Sequence, residues 1–219
     1  MSLASSKVLT LKDRIRTMED WWFDTTRSVH TSGDERASNA SGIVGQLRDS
    51  LNYHPARVPN ARAALQDLPI RNHSQYTFVD IGSGKGRILF LAAELPFRKI
   101  IGVEFATELH RQASANIERY NHLKQRCAHI ESINADAAEF EFPGDSLVLY
   151  IFNSFGPEIM SRMLANLAQS LQQDPRHVIF LMLWPEQSHL VEQMPDVQVY
   201  KKTRRYHILQ TANPNQATR

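Results

Sequence analysis

Apolar positions along this chain follow two regimes, and the change falls near residue 70. Beyond it, short strand-length runs alternate with longer amphipathic ones. "YTFVDI" (Tyr76–Ile81), "RKIIGVEF", "HIESINAD", "SLVLYIFN" and "HVIFLMLWP" read as five strands. Between them, "GRILFLAAEL" (residues 86–95) has helix-forming composition and stops before Pro96, while "ELHRQASANIERYNHLKQR" (108–126) and "PEIMSRMLANLAQSLQQ" (157–173) are amphipathic helices. Strands separated by helices of this length predict a parallel sheet covered on both faces. The ending differs: "VQVYKKTRRYHILQTA" divides into two strand-like halves around a polar turn, which adds an antiparallel edge.

Before residue 70 the chain is more polar. "LKDRIRTMEDWWFD" and "VPNARAALQDLP" are helix-like, the second with Pro59 suited to a helix start, and the Ser/Gly/Asn-rich "TSGDERASNASG" separates them. Together these patterns predict an α/β fold: a three-layer α/β/α sandwich with a mostly parallel seven-stranded sheet, a C-terminal antiparallel β-hairpin and an N-terminal helical segment. Residues 1–70 are expected to form a lid or substrate segment, and residues 71–219 the ligand-binding domain.

Composition narrows the setting. A chain of 219 residues with 42% hydrophobic content suits one well-packed domain plus an accessory segment. No apolar run approaches the roughly 20 residues of a membrane helix, and "MSLASSKVLT" has no sustained apolar core of a signal peptide, so no membrane association and a cytoplasmic location are expected. Cys127 is the only cysteine, which excludes an internal disulfide and a cysteine-based metal site; no metal is expected. A formal charge of +2 is too small to argue for nucleic acid by itself.

The candidate chemistry begins at "FVDIGSGKGR" (residues 78–87), the first strand of the alternating region, the turn after it and the start of a helix. Gly82, Gly84 and Gly86 let the turn tighten and let a ligand lie against bare backbone. Dinucleotide sites use the longer G-x-G-x-x-G to bring a pyrophosphate to a helix N-terminus, whereas this turn is G-x-G-x-G with Asp80 two residues ahead. A carboxylate there repels phosphate and attracts an ammonium group. An adenosine carrying an α-amino-acid tail satisfies both facts, and S-adenosylmethionine is that ligand. Glu104, ending the second strand about 20 positions on, can accept from both ribose hydroxyls, and Asp136, ending the third, can accept from the adenine amino group.

The run "FVDIGSGKGRILFLAA", with "IIGVEFATELHRQASANI" and "INADAAEF", resembles class I, seven-strand S-adenosylmethionine-dependent methyltransferases, and the resemblance covers residues 71–212. It implies that Asp80 holds the methionine amino group, directly or through water, and that Gly82, Ser83, Gly84 and Gly86 line the methionine and ribose. It further implies that Glu104, with Phe105 beside it, binds the ribose, and that Asp136 and the backbone of Ala137 read adenine. Ligands in open α/β sheets lie outside the strand ends, so "FNSFGPE" (152–158) after the fourth strand belongs next to the methyl group.

There, Asn153 offers a donor and an acceptor to an amine or amide and completes the cofactor set, and Phe155 can pack on a planar substrate. The stretch is similar to the Asn-Pro-Pro-aromatic motif of amino-group methyltransferases but lacks both prolines. It is also similar to the Asn-Asn-Phe segment of the non-SET histone lysine methyltransferases, whose other motifs likewise read Asp-x-Gly-Ser-Gly and Gly-Val-Glu. Asn153 equally suits an N-cap for the helix beginning near Pro157.

Methyl transfer needs positioning more than acid–base work. If a base is used, Tyr53 is the first candidate, with His54, His30 and Glu186 after it. Lys85 reads as solvent-facing, with a contact to the cofactor carboxylate as the alternative; Trp21, Trp22 and Phe23 as anchors of a helix on the core, with an aromatic shelf over a substrate as the alternative; and "YKKTRRY" as a solvated hairpin turn, with an acidic partner or RNA as the alternative. The functional expectation is a methyltransferase acting on an amine or amide nitrogen of a protein or small molecule. The alternatives are a noncatalytic S-adenosylmethionine-binding partner protein, a nucleic-acid methyltransferase, which is less favoured, and an NAD-dependent oxidoreductase. The oligomeric state stays open.

Overall fold

The computed structural model describes residues 10–33, 35–36, 52–152 and 155–213. Seven strands form one sheet: β3 (Tyr76–Ile81), β4 (Lys99–Glu104), β5 (Ile130–Asn134), β6 (Ser146–Phe152), β7 (Val178–Leu183), β8 (Val197–Lys202) and β9 (Tyr206–Thr211). Their order is β5-β4-β3-β6-β7-β9-β8, and only β9 runs antiparallel to its neighbours. The sheet grows outward in one direction through β4 and β5 and in the other through β6 and β7. The two directions part between β3 and β6, and the crevice at their carboxyl ends is where open α/β sheets receive ligands.

All six positions of β3 and of β7 are buried, which is why their sequences run almost without polar interruption. Alternate residues serve opposite layers. Phe78, Ile100, Tyr150 and Leu181 pack with Leu89 and Phe90 of α3 (Arg87–Ala92) and with Ala61, Ala64 and Leu65 of α2 (Val58–Gln66). Val79, Val103, Leu149 and Phe180 pack with Met160, Met163 and Leu167 of α5 (Pro157–Gln173).

α4 (Thr107–Arg119) is shorter than its sequence pattern suggests, ending seven residues before residue 126. Tyr120 leaves the helix to stack on Phe90 at 4.7 Å and to donate its hydroxyl to the Phe90 carbonyl at 3.2 Å. The next amide, Asn121, donates to the carbonyl of Arg27 at 3.2 Å. A tertiary contact therefore ends a segment whose local composition would continue as helix.

α1 (Leu11–Arg27) is fixed to this body by one aromatic residue rather than three. Phe23 is fully buried, whereas Trp21 and Trp22 are 66% and 54% exposed, which corrects the expectation of a three-residue anchor. Polar contacts complete the attachment: Arg27 pairs with Glu94, which Arg62 also engages at 2.5 Å. A two-stranded ribbon, β1 (Glu35–Arg36) with β2 (Asn52–Tyr53), lies between α1 and α2 in the chain. At the other end, the hairpin cations meet acids and an amide: Lys201 donates to Asp67 at 2.5 Å, Lys202 to Glu192 at 2.9 Å and Arg205 to Asn60 at 3.4 Å. This is how a solvated hairpin neutralises a basic turn. No helix among the described residues is long and apolar enough to cross a membrane, and none of their side chains cluster as metal ligands.

Candidate active site

The glycine turn forms because the chain must leave β3 and reverse into α3 within five residues. The amides of Gly82 and Ser83 both donate to the Val103 carbonyl, at 2.8 and 3.1 Å, and the Gly86 amide closes on Ser83 at 2.9 Å. Gly82, Gly84 and Gly86 take φ of 78°, 54° and 88°, a left-handed conformation at every second residue that side chains resist. Glu104 ties this turn to the one after β4: one carboxylate oxygen accepts from the Gly84 amide at 2.8 Å and the other from the Ala106 amide at 2.8 Å. Asn134, at the end of β5, donates to the carbonyls of Glu104 and Phe105 at 2.8 and 3.0 Å, fixing the path of that second turn.

Gly102, in the middle of β4, supports the same turn from beneath. A Cβ there would lie 2.7 Å from Ser83 Oγ and 2.9 Å from Leu89 Cδ1, both of them buried. Gly102→Ala is expected to push the turn outward, destabilising the protein by about 1–3 kcal/mol as overpacking typically does and weakening ligand binding with it. Denaturant unfolding and calorimetry of the variant check this, and an unchanged midpoint with unchanged affinity would contradict it.

The electrostatics of the crevice are unbalanced. Asp80 is only 3% exposed, and burial, with the charge of Glu104 adding to it, holds its carboxyl well above the ordinary aspartate range. Burial likewise raises Glu104, although its bonds from the Ala106, Gly84 and Phe105 amides pull the other way. Two interacting acids are thus placed out of water beside a turn of bare backbone, and a cationic ligand would offset both penalties. Phe105, next in the chain, is 46% exposed at the mouth of the same turn.

Asp136 is occupied locally: its Oδ1 accepts from the Ala138 amide at 2.9 Å and caps the short 3-10 turn Ala137–Glu139, in which Ala137 is buried. The acid predicted to read adenine therefore carries a capping role.

The predicted cofactor residues Asp80, Gly82, Ser83, Gly84, Gly86, Glu104 and Phe105 come together on adjacent strand ends and turns. Asn153 lies outside the described residues. β6 ends at Phe152, one residue past the partner of Ile81, so the chain leaves the sheet beside the glycine turn. Phe155 is half-buried, and its carbonyl accepts from Gln187 at 2.9 Å. The backbone of Tyr53 belongs to β2, and its side chain lies outside the described residues. His30, His54 and Glu186 are exposed.

Lys85 differs from expectation. It is 5% exposed, not solvent-facing, and donates to the Ser32 carbonyl at 3.2 Å. Asn116 on α4 does related work, donating to the carbonyls of His30 and Lys85 at 3.1 and 3.0 Å and accepting from the His30 amide at 2.9 Å. Sequence reasoning missed it, although a signal existed. Leu109, Ala113 and Asn116 share the buried face of α4, so a polar residue stands where the helical period asks for an apolar one.

Strand order and glycine turn are those of the class I methyltransferase fold, a fold whose members use S-adenosylmethionine as methyl donor. Residues 78–174 match the model of a family described as a methyltransferase domain, a span that runs from β3 through α5. Among solved structures, an S-adenosylmethionine-dependent O-methyltransferase from Thermotoga maritima is similar at a TM-score of 0.52 and 13% identity, covering 74% of this chain and 67% of that one. A predicted N6-adenine-specific DNA methylase from Listeria monocytogenes has a TM-score of 0.52 and 16% identity, covering 82% of this chain but 55% of its own. A precorrin-6y C5,15-methyltransferase from Geobacter metallireducens has a TM-score of 0.50 and 14% identity, covering 73% and 89%. At these identities the likeness is one of fold. No match was found among curated proteins.

Proposed function

We propose that the protein transfers the methyl group of S-adenosylmethionine to an amine or amide nitrogen of a protein or small molecule. The observation that carries the cofactor half is the pair of buried acids, Asp80 and Glu104, beside a left-handed glycine turn. The ribose would meet Glu104, the amino-acid tail Asp80 and the turn, and the adenine the region of Phe105, Asp136 and Ala137. The bound group supplies an activated methyl on sulfur. What the chain has to do is hold it, exclude water and present the nucleophile in line.

The acceptor half rests on "FNSFGPE", where Asn153 would orient the nitrogen and Phe155 would pack beside it, with Tyr53 as the proton acceptor if one is needed. Residues 1–70 would act as lid and selectivity segment, since α1 and the loop after it are bonded to the glycine turn through Lys85 and Arg87. Nucleic acid is the weaker reading because three of the four hairpin cations already meet protein partners. Incubation with methyl-labelled donor and separate pools of protein, small amines, RNA and DNA tests the proposal. Label on protein or amine nitrogen, reduced in Asn153→Ala, supports it, and label on nucleic acid alone refutes it.

Binding should also depend on pH in a defined direction. A cation favours ionised Asp80, whose pKa lies above the ordinary value of 3.8 in the ligand-free protein. Binding therefore releases a proton, and affinity rises with pH by up to about tenfold per unit until the raised pKa is passed. Stability of the ligand-free protein runs oppositely: the contribution of a raised carboxyl is present at low pH and lost as pH rises through its folded value. Calorimetry in two buffers of different ionisation enthalpy measures the released proton, and none at mildly acidic pH would contradict the assignment of Asp80.

A further inference from the structure

We propose that the Tyr150 hydroxyl is a second binding group for the cofactor's amino-acid tail, accepting from the ammonium that Asp80 also holds. The inference rests on the cofactor reading above and concerns a residue that the sequence pattern marked only as part of a buried strand.

Tyr150 is 1% exposed, and its hydroxyl has no hydrogen-bond partner among the described residues. A buried tyrosine normally finds one, so an orphan hydroxyl near the carboxyl end of β6, level with Asp80, calls for a reason. Tyr150 and Asp80 are register partners on the adjacent parallel strands β6 and β3, so their side chains leave the sheet on the same face. Phe78, two residues before Asp80 on that face, has its ring 6.1 Å from that of Tyr150, which confirms the direction.

The Asp80 carboxylate, 3% exposed, is not bonded to that hydroxyl. The two groups are close enough to interact, each being raised mainly by burial and, for Tyr150, secondarily by the charge of Asp80. A donor and an acceptor that neighbour each other out of water without bonding leave room for a third group. An ammonium has three hydrogens to give, one suited to the Asp80 carboxylate and one to the tyrosine oxygen, while the hydroxyl hydrogen stays available to Asp80. Phosphate or a neutral amide would not satisfy both partners.

The test compares two probes on wild type and Tyr150→Phe by calorimetry: S-adenosylhomocysteine, which carries the amino-acid tail, and 5′-methylthioadenosine, which lacks it. The variant should bind S-adenosylhomocysteine about ten- to a hundredfold more weakly, as expected for a lost bond to a charged group, and 5′-methylthioadenosine unchanged. Its ligand-free melting temperature should stay level or rise, because no protein hydrogen bond is removed. Equal weakening for both probes would assign Tyr150 a structural role and overturn the proposal, as would unchanged binding of both. Failure of the wild type to bind either probe would instead remove the cofactor reading on which the proposal stands.

Discussion

Arg87→Ala is expected to destabilise the protein by about 3–5 kcal/mol, the range for removing one partner of a buried ion pair. Arg87 is 2% exposed, at the first position of α3, and its guanidinium is shared among several elements. Nε donates to Thr31 Oγ1 at 2.9 Å, one terminal nitrogen to Asp20 at 2.5 Å and the other to Ser32 Oγ at 3.0 Å. The ring of Phe23 lies 5.5 Å beneath it. Asp24 holds the same loop, accepting from the amide and hydroxyl of both Thr31 and Ser32.

Truncating Arg87 leaves Asp20 in a partly dry position with only the 3.9 Å contact to Arg16 among the described residues and removes the floor of the loop, so α1 should loosen before the sheet does. Arg87→Lys should recover only part of the loss, since an ammonium on a flexible stem cannot reproduce the planar fork. Denaturant unfolding followed by tryptophan fluorescence, with Trp184 replaced by Phe so that Trp21 and Trp22 on α1 are the reporters, measures both effects. A loss under 1 kcal/mol in the alanine variant would mean that the clamp contributes little.

Glu104→Ala should weaken S-adenosylmethionine and S-adenosylhomocysteine binding by about 1.5–3 kcal/mol, the value of hydrogen bonds to a charged group. Its effect on the ligand-free protein should be smaller than that on binding, because two terms oppose. The amides of Gly84 and Ala106 lose their acceptor, yet the repulsion between Glu104 and Asp80 disappears as well. Calorimetry paired with thermal unfolding separates the two. A large drop in melting temperature with little change in affinity would make Glu104 a brace for the turn and not a ribose ligand.

Much of this was legible in the sequence because it depends on local spacing. Strand-length apolar runs separated by amphipathic helices gave the parallel sheet, and the left-handed turn followed from glycines at 82, 84 and 86. Glu104 and Asp80 were singled out by their distance to that turn, and the structure sets both beside it. Features set by contacts distant in sequence were not legible. Nothing near Lys85 announces that Ser32, 53 residues earlier, will cover it, and nothing near residue 119 announces that Tyr120 will turn away to Phe90. Trp21, Trp22 and Phe23 are equally apolar neighbours, and only the helical rotation of α1 selects Phe23 for the interior. Asp136 shows a further limit, since the carboxylate that the sequence marks as a ligand candidate caps a turn in the fold.

The loop of residues 28–33 touches Lys85, Arg87 and Asn116, and all three flank or support the glycine turn. Order in the loop and order in the turn therefore share one free energy. A ligand that tightens the turn tightens the α1 attachment, and by reciprocity whatever docks on α1 and favours its attached form strengthens ligand binding by the same factor. The accessory helix and the glycine turn are thus one thermodynamic unit, and loosening either loosens the other.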